Sequence, residues 1–148
     1  ENYMSVSKLT RRATLGAAFS AVMMFAGVNA ASAADVVEYK PGVVQSALKQ
    51  GKTVFIDYTT HWCTTCASQK RTINALRDAN AAYNEMVFVR VDWDIYSGDE
   101  ISTKYKIPRR STLLVLNGDQ ELGRIVAGTS KSKIKALMDK GLSAAKNS

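Results

Sequence analysis

From residue 36 onward, apolar side chains follow two alternating rhythms: short dense runs of β-branched and aromatic residues, and longer stretches where they recur every three to four positions. The first rhythm marks strands and the second helices. Residues 36–39 make a short strand candidate. Pro41 then opens a helix that runs to about Gln50 and stops at Gly51, with Val43, Val44, Ala47 and Leu48 as its apolar stripe. Residues 53–59, TVFIDYT, read as a buried central strand holding one charged residue, Asp57. From Cys63 to about Tyr83 there is neither Pro nor Gly, and Ile73, Leu76, Ala79 and Tyr83 keep helical spacing, which predicts one long helix. Residues 86–92, MVFVRVD, form a second buried strand, and residues 99–106 a short helix before Ile107 and Pro108. Residues 112–116 and 122–127 are two strands joined by Asn117, Gly118 and Asp119, a hairpin turn signal. The last helix starts at Ser130, whose hydroxyl can cap it, and runs to about Lys140.

Early alternation favours parallel pairing, and the late hairpin adds an antiparallel edge. The fold class is therefore α/β, a central mixed sheet of four to five strands with helices on both faces. A length of 148 residues and 46% apolar composition suit one such domain, with no internal repeat or linker.

The N-terminal stretch follows a different pattern. Lys8, Arg11 and Arg12 precede an uncharged apolar run from Leu15 to about Val28, and residues 29–34 are NAASAA. That layout predicts a signal peptide over residues 1–33, cleaved after Ala33, ahead of a domain over residues 34–148. The run is shorter than the roughly 20 residues of a membrane span, so the expected product is exported, periplasmic and soluble. Residues 10–15, TRRATL, also resemble a twin-arginine signal with Thr14 in place of the usual Phe, which leaves the export route open. Removing residues 1–33 takes away Lys8, Arg11, Arg12 and Glu1, and the net charge falls from +7 to +5. Much of it sits on Lys131, Lys133, Lys135, Lys140 and Lys146, with no aromatic residues interleaved. This is a solvated helix face, and no nucleic acid is expected as a partner.

Candidate chemistry centres on Cys63 and Cys66, the only cysteines. The pair admits three readings: a redox couple, half of a zinc site, or a structural staple. The only other soft ligand is His61, short of the three or four that zinc requires. A staple across so few residues contributes little chain entropy, so the redox reading fits best. At a strand-to-helix junction Cys63 faces unpaired backbone N–H groups and the positive end of the helix dipole, which lowers its pKa and makes it the nucleophile. Cys66, one turn further in, resolves the mixed disulfide. Trp62 either covers the thiols or packs, and His61 reads as a surface residue.

The segment FIDYTTHWCTTC, followed through the rest of the chain, resembles the thioredoxin family. The resemblance implies a thioredoxin fold. It puts Trp62 before the nucleophile, Asp57 as a buried carboxylate that assists the resolving thiol, Arg90 in place of a nearby lysine, and Gly128 beside the active surface. Asp57 has its own physical case: a carboxyl in an apolar strand is desolvated, its pKa rises, and it can exchange a proton with Cys66. The alternative is a structural Asp57 neutralised by Arg90.

Two departures stand out. Ser111 occupies the place of the family's cis-proline, with Pro108 three residues early, and a cis bond before a non-proline costs about 2.5–4 kcal/mol. The bond before Ser111 is therefore expected trans, with Arg110, Ser111 and Thr112 bordering the cysteines. Thr64 and Thr65 match neither the Gly-Pro of thioredoxins nor the Pro-His of DsbA oxidases. The resulting expectation is a thiol-disulfide oxidoreductase with catalytic Cys63, Cys66 and Asp57 and a substrate-facing set of Trp62, Arg110, Ser111, Thr112 and Gly128. It uses no cofactor or metal beyond its own disulfide. It acts as a monomer on protein thiols or disulfides, as a reductase rather than an oxidase, and is recharged by a membrane electron donor. One alternative is a copper or zinc carrier using the same thiols with His61, since Ser111 removes a proline that helps keep metals off them. Another is an interaction module with an inert disulfide.

Overall fold

The computed structural model describes residues 34–148, so the predicted leader over residues 1–33 lies outside the described residues. The elements are β1 (Val37–Glu38), α1 (Val43–Lys49), β2 (Thr53–Thr59), α2 (Thr64–Ala79), a 3-10 turn (Ala81–Glu85), β3 (Val87–Asp92), α3 (Trp93–Tyr96), α4 (Glu100–Thr103), β4 (Thr112–Asn117), β5 (Gln120–Val126) and α5 (Lys131–Lys146). They build one five-stranded sheet in the order β1-β3-β2-β4-β5. The first three strands are parallel, while β4 runs antiparallel to β2 and β5 antiparallel to β4.

Because successive side chains of a strand point to opposite faces, β2 sorts its residues into two cores. Phe55 joins Ile73 and Leu76 of α2, Phe88, Leu113, Val115, and Ile134, Leu137 and Met138 of α5. Val54, Ile56 and Tyr58 face Val44 of α1, Val89, Val91, Ile101 of α4, Leu114 and Leu116. Asp57 shares its parity with Phe55, so the one charge in the strand is carried on the α2 and α5 face. Central strands buried on both faces account for the near-continuous apolar runs.

Several boundaries differ from expectation. Helix α1 begins at Val43 rather than Pro41, after Gly42 at φ 92. The long helix ends at Ala79, not Tyr83: Asn80 is extended, and its side chain accepts from Ala82 N at 3.1 Å to start the 3-10 turn. An asparagine that caps a new turn ends a helix that apolar spacing alone would continue. The helix expected over residues 99–106 shortens to Glu100–Thr103, and α3 was not foreseen; Asp92 and Asp99 cap the two. Helix α5 runs six residues beyond Lys140, straight through Gly141. A Cβ at Gly141 would lie 2.5 Å from Met86 Sδ and 3.0 Å from Val115 Cγ1, so this glycine is a close approach of helix to sheet rather than a stop.

Candidate active site

Strand β2 leads into the turn at His61 and Trp62, and Cys63 is the N-cap of α2. Helix N-caps satisfy a backbone N–H that the helix itself cannot, usually through a side-chain oxygen. Here the Cys63 sulfur does so, accepting from Cys66 N at 3.1 Å. The two cysteines are joined as a disulfide with Cα atoms 5.2 Å apart. Cys63 keeps 7% of its surface exposed and Cys66 1%, so an incoming group reaches Cys63 first.

Ser111 faces both sulfurs, its Oγ 3.2 Å from Cys63 Sγ and 3.1 Å from Cys66 Sγ. No peptide bond among the described residues is cis, and Ser111 instead adopts φ 62. Its N–H donates to Tyr58 O at 2.7 Å, and its carbonyl accepts from Ala127 N at 2.8 Å. Proline can make neither that φ nor that donor bond, so the loop is not a proline loop with the ring trimmed away.

Gln69 was not anticipated. It is fully buried, and its Nε2 donates both to Ser111 O at 3.0 Å and to Gly128 O at 2.9 Å, tying the two loops to α2. The available signal was its polarity: Cys66, Gln69, Ile73 and Leu76 share one buried stripe of the helix, where an amide needs partners. At Gly128, whose carbonyl Gln69 holds, a Cβ would sit 2.8 Å from Ile125 Cγ2.

The other expected residues differ in exposure and contacts. Trp62 is 53% exposed, its Nε1 donating to Asp94 Oδ2 at 2.8 Å, with the Arg110 guanidinium 4.1 Å above its ring. Asp94 was also missed, because nothing local ties it to a tryptophan 32 residues earlier. Thr112 is buried, and its hydroxyl donates to Arg109 O at 2.7 Å. His61 is exposed and lines an open groove of about 310 Å³ with Cys63, Cys66, Lys70, Arg90 and Asp92. Among the described residues no three His, Cys, Asp or Glu side chains gather closely enough to hold a metal ion. The metal-carrier alternative therefore rests on the two thiols.

Asp57 is buried, and its Oδ1 has no hydrogen-bond partner. Burial pushes its carboxyl from 3.8 up to about 6, against the downward pull of Arg90 and Lys70. Arg90 lies opposite Asp57 in the β2–β3 register but gives its ion pair to Glu38, at 3.1 Å. It thus lowers the pKa through space without pairing with the carboxyl. Lys70 and Arg90 line both the groove at the sulfurs and a small cavity of about 10 Å³ at Asp57, at the lower limit of room for one water.

Comparison with known proteins agrees with this arrangement. Over 95 residues the chain is 26% identical to thioredoxin from Echinococcus granulosus, covering 64% of this chain and 83% of that protein. Over 80 residues it is 29% identical to the thiol:disulfide interchange protein DsbD of Pseudomonas fluorescens, covering 53% of this chain and 14% of DsbD. The crystal structure of Trxlp from Edwardsiella tarda EIB202 matches with a TM-score of 0.60 at 27% identity, covering 71% of this chain and 96% of that one. The thioredoxin family model matches residues 19–140, and with a CxxC pair capping a helix at the end of a central strand, this chain belongs to the thioredoxin family.

Proposed function

We propose that this chain, a thiol-disulfide oxidoreductase acting on protein thiols or disulfides, works outside the cytoplasm in the reducing direction. Cys63 is the attacking sulfur, Cys66 the resolving sulfur and Asp57 the proton carrier. The observation that carries the assignment is the Cys63 sulfur at the helix N-cap, accepting a backbone N–H and less buried than its partner. A thiolate at that point gains the same hydrogen bond and the favourable end of the helix dipole.

The reduced pair attacks a partner disulfide through the Cys63 thiolate, forming a mixed disulfide and releasing one partner thiolate, which takes up a proton. Cys66 then loses its proton to the Asp57 carboxylate, and its thiolate attacks Cys63 Sγ. The Cys63–Cys66 bond forms, the second partner thiolate leaves, and two electrons have passed from the pair to the partner. A carboxyl near 6 is mostly ionised at neutral pH and still basic enough to take that proton.

The reducing direction draws support from the buried Asp57 carboxyl. The location rests on the leader pattern of residues 1–33. Outside the cytoplasm a reductase needs electrons delivered across the membrane, so a membrane electron donor is the proposed partner upstream. Similarity to a segment of a thiol:disulfide interchange protein is consistent with exchange among proteins of this kind.

Equilibration in glutathione or dithiothreitol buffers, followed by thiol trapping, tests the direction. A potential near −270 mV, about that of thioredoxin, is expected, and one near −120 mV, about that of DsbA, would make the protein an oxidase. In the same reduced sample alkylation near neutral pH should label Cys63 first, and Cys66→Ala should accumulate mixed disulfides through Cys63. Preferential labelling of Cys66 would reverse the assignment.

A further inference from the structure

With the disulfide closed neither sulfur carries a proton, so the Ser111 hydroxyl is the donor in the triangle it forms with Cys63 Sγ and Cys66 Sγ, at 3.2 and 3.1 Å. Ser111 is fully buried, so no bulk water competes for this proton. Its backbone is held by Tyr58 O, Ala127 N and Gln69 Nε2. Three hydrogen bonds hold a serine at φ 62, a conformation that L residues adopt against a steric penalty. Such strain persists where the surroundings over-determine it, commonly at functional sites. The effect of this conformation is to aim Oγ at the midpoint of the reacting bond.

We propose that Ser111 is a catalytic hydrogen-bond donor shared by the two sulfurs, turning its one proton toward whichever sulfur carries negative charge. This rests on the exchange chemistry described above. In the reduced protein the O–H donates to the Cys63 thiolate. In resolution it donates to the Cys66 thiolate as that sulfur attacks. When a donor thiolate reopens the disulfide, a bond forms between the incoming sulfur and Cys63, and Cys66 leaves with the electron pair of the broken bond. The hydroxyl then turns to Cys66. Its proton stays on Oγ throughout, and no extra oxidant or reductant enters.

A hydrogen bond to a charged acceptor is about twice as strong as one between neutral groups, so the hydroxyl favours thiolate over thiol and disulfide. It lowers the Cys63 pKa and makes the couple more easily reduced. Of the charged and titratable groups around the pair, Glu38 of β1, His61 of the turn, Lys70 of α2, and Arg90 and Asp92 of β3 line the groove, and Asp57 of β2 lies in the adjoining cavity with Lys70 and Arg90. Arg110 adjoins Ser111 in sequence. All are retained when only the hydroxyl is removed.

Ser111→Gly removes the hydroxyl and accepts φ 62 without strain, and Ser111→Ala removes it while keeping a Cβ. Thiolate absorbance and the alkylation rate of Cys63, followed against pH, should show the Cys63 midpoint raised by about one unit in both variants, with about tenfold less thiolate well below it. The equilibrium with glutathione should move about tenfold toward the disulfide, about 30 mV more reducing. Midpoints and equilibria equal to those of the parent protein would overturn the proposal. If neither variant folds, proton NMR of the unaltered protein decides. The Ser111 hydroxyl proton should be protected from exchange and shift as Cys63 titrates, and a rapidly exchanging or insensitive proton would refute it. Failure of the underlying exchange reading is distinct: it would appear in the parent protein itself, as preferential labelling of Cys66 or no disulfide reduction.

Discussion

The two ends of the sheet treat backbone strain in opposite ways. At the end remote from the cysteines, where β2 begins and the hairpin turns, the left-handed positions are Gly51 at φ 76 and Gly118 at φ 55. Glycine takes that conformation at no steric cost. Asn117 there donates to Thr53 Oγ1 at 2.7 Å, while Gln45 Oε1, beside Gly118 and Asp119, is buried without a partner. At the cysteine end the left-handed positions are Ser111 and Ala127, at φ 62 and 57, joined by the Ala127 N to Ser111 O hydrogen bond. Each costs about 1–2 kcal/mol relative to a relaxed backbone. The same end carries buried Asp57 Oδ1, Thr60 Oγ1 and Gln69 Oε1 without partners. Left-handed Lys106 and the unpartnered Gln45 Oε1, Arg77 Nε and Asn84 Nδ2 lie outside the groove at the sulfurs, so what sets the cysteine end apart is a left-handed serine in contact with both reacting atoms.

The largest break in that contrast should come from Asp57→Asn. If the unpaired carboxyl carries a proton for Cys66, disulfide reduction at neutral pH should fall by about a hundredfold, the lower range for loss of a general acid or base. Insulin-disulfide turnover measures this, and unchanged turnover across neutral pH would leave Asp57 structural. Stability should move the other way. The folded carboxyl titrates near 6 against 3.8 when exposed, so between these values the folded state binds more protons than the unfolded one, and stability falls as pH rises through the window. Asp57→Asn should abolish that dependence and raise stability above pH 7 by up to about 3 kcal/mol, read from urea unfolding at several pH values.

A smaller effect tests the quiet part of the molecule. Gly141→Ala improves helix propensity by about 1 kcal/mol, yet its new Cβ meets Met86 and Val115 inside the core. Overpacking of this kind costs about 1–3 kcal/mol, so a net loss of stability is expected in thermal unfolding, with turnover per folded molecule unchanged. The smallest is Ala127→Gly, which relieves left-handed strain and should stabilise by less than about 1 kcal/mol with the redox equilibrium intact. A marked change in the glutathione equilibrium of that variant would show that strain at Ala127 is part of the chemistry.

Much of the site was legible because it is local. The β-branched run over residues 53–59 became β2 residue for residue, and Ser130 caps α5 by accepting from Lys133 N. The position of Cys63 at a strand-to-helix junction needed only the two neighbouring patterns. Other features were hidden for specific reasons. Apolar spacing passed unbroken through Asn80, whose preference for capping a fresh turn outweighed it. The last helix runs past Lys140 through Gly141, and the atoms that demand a glycine there, on Met86 and Val115, lie far away in the chain. Gln69 looked like one more polar helix residue until the loops at Ser111 and Gly128 came to meet it.

The sequence by itself determined the α/β order, the two-sided burial of the central strands, the redox pair and the desolvated carboxyl, since all four follow from residue type and short-range spacing. Tertiary structure alone decided what stands over the sulfurs. Tyr58 of β2, Gln69 of α2 and Ala127 of the loop after β5 hold Ser111 in a conformation that its own backbone disfavours. No local pattern encodes such a position, because the energy that maintains it comes from hydrogen bonds made only after the strands have paired.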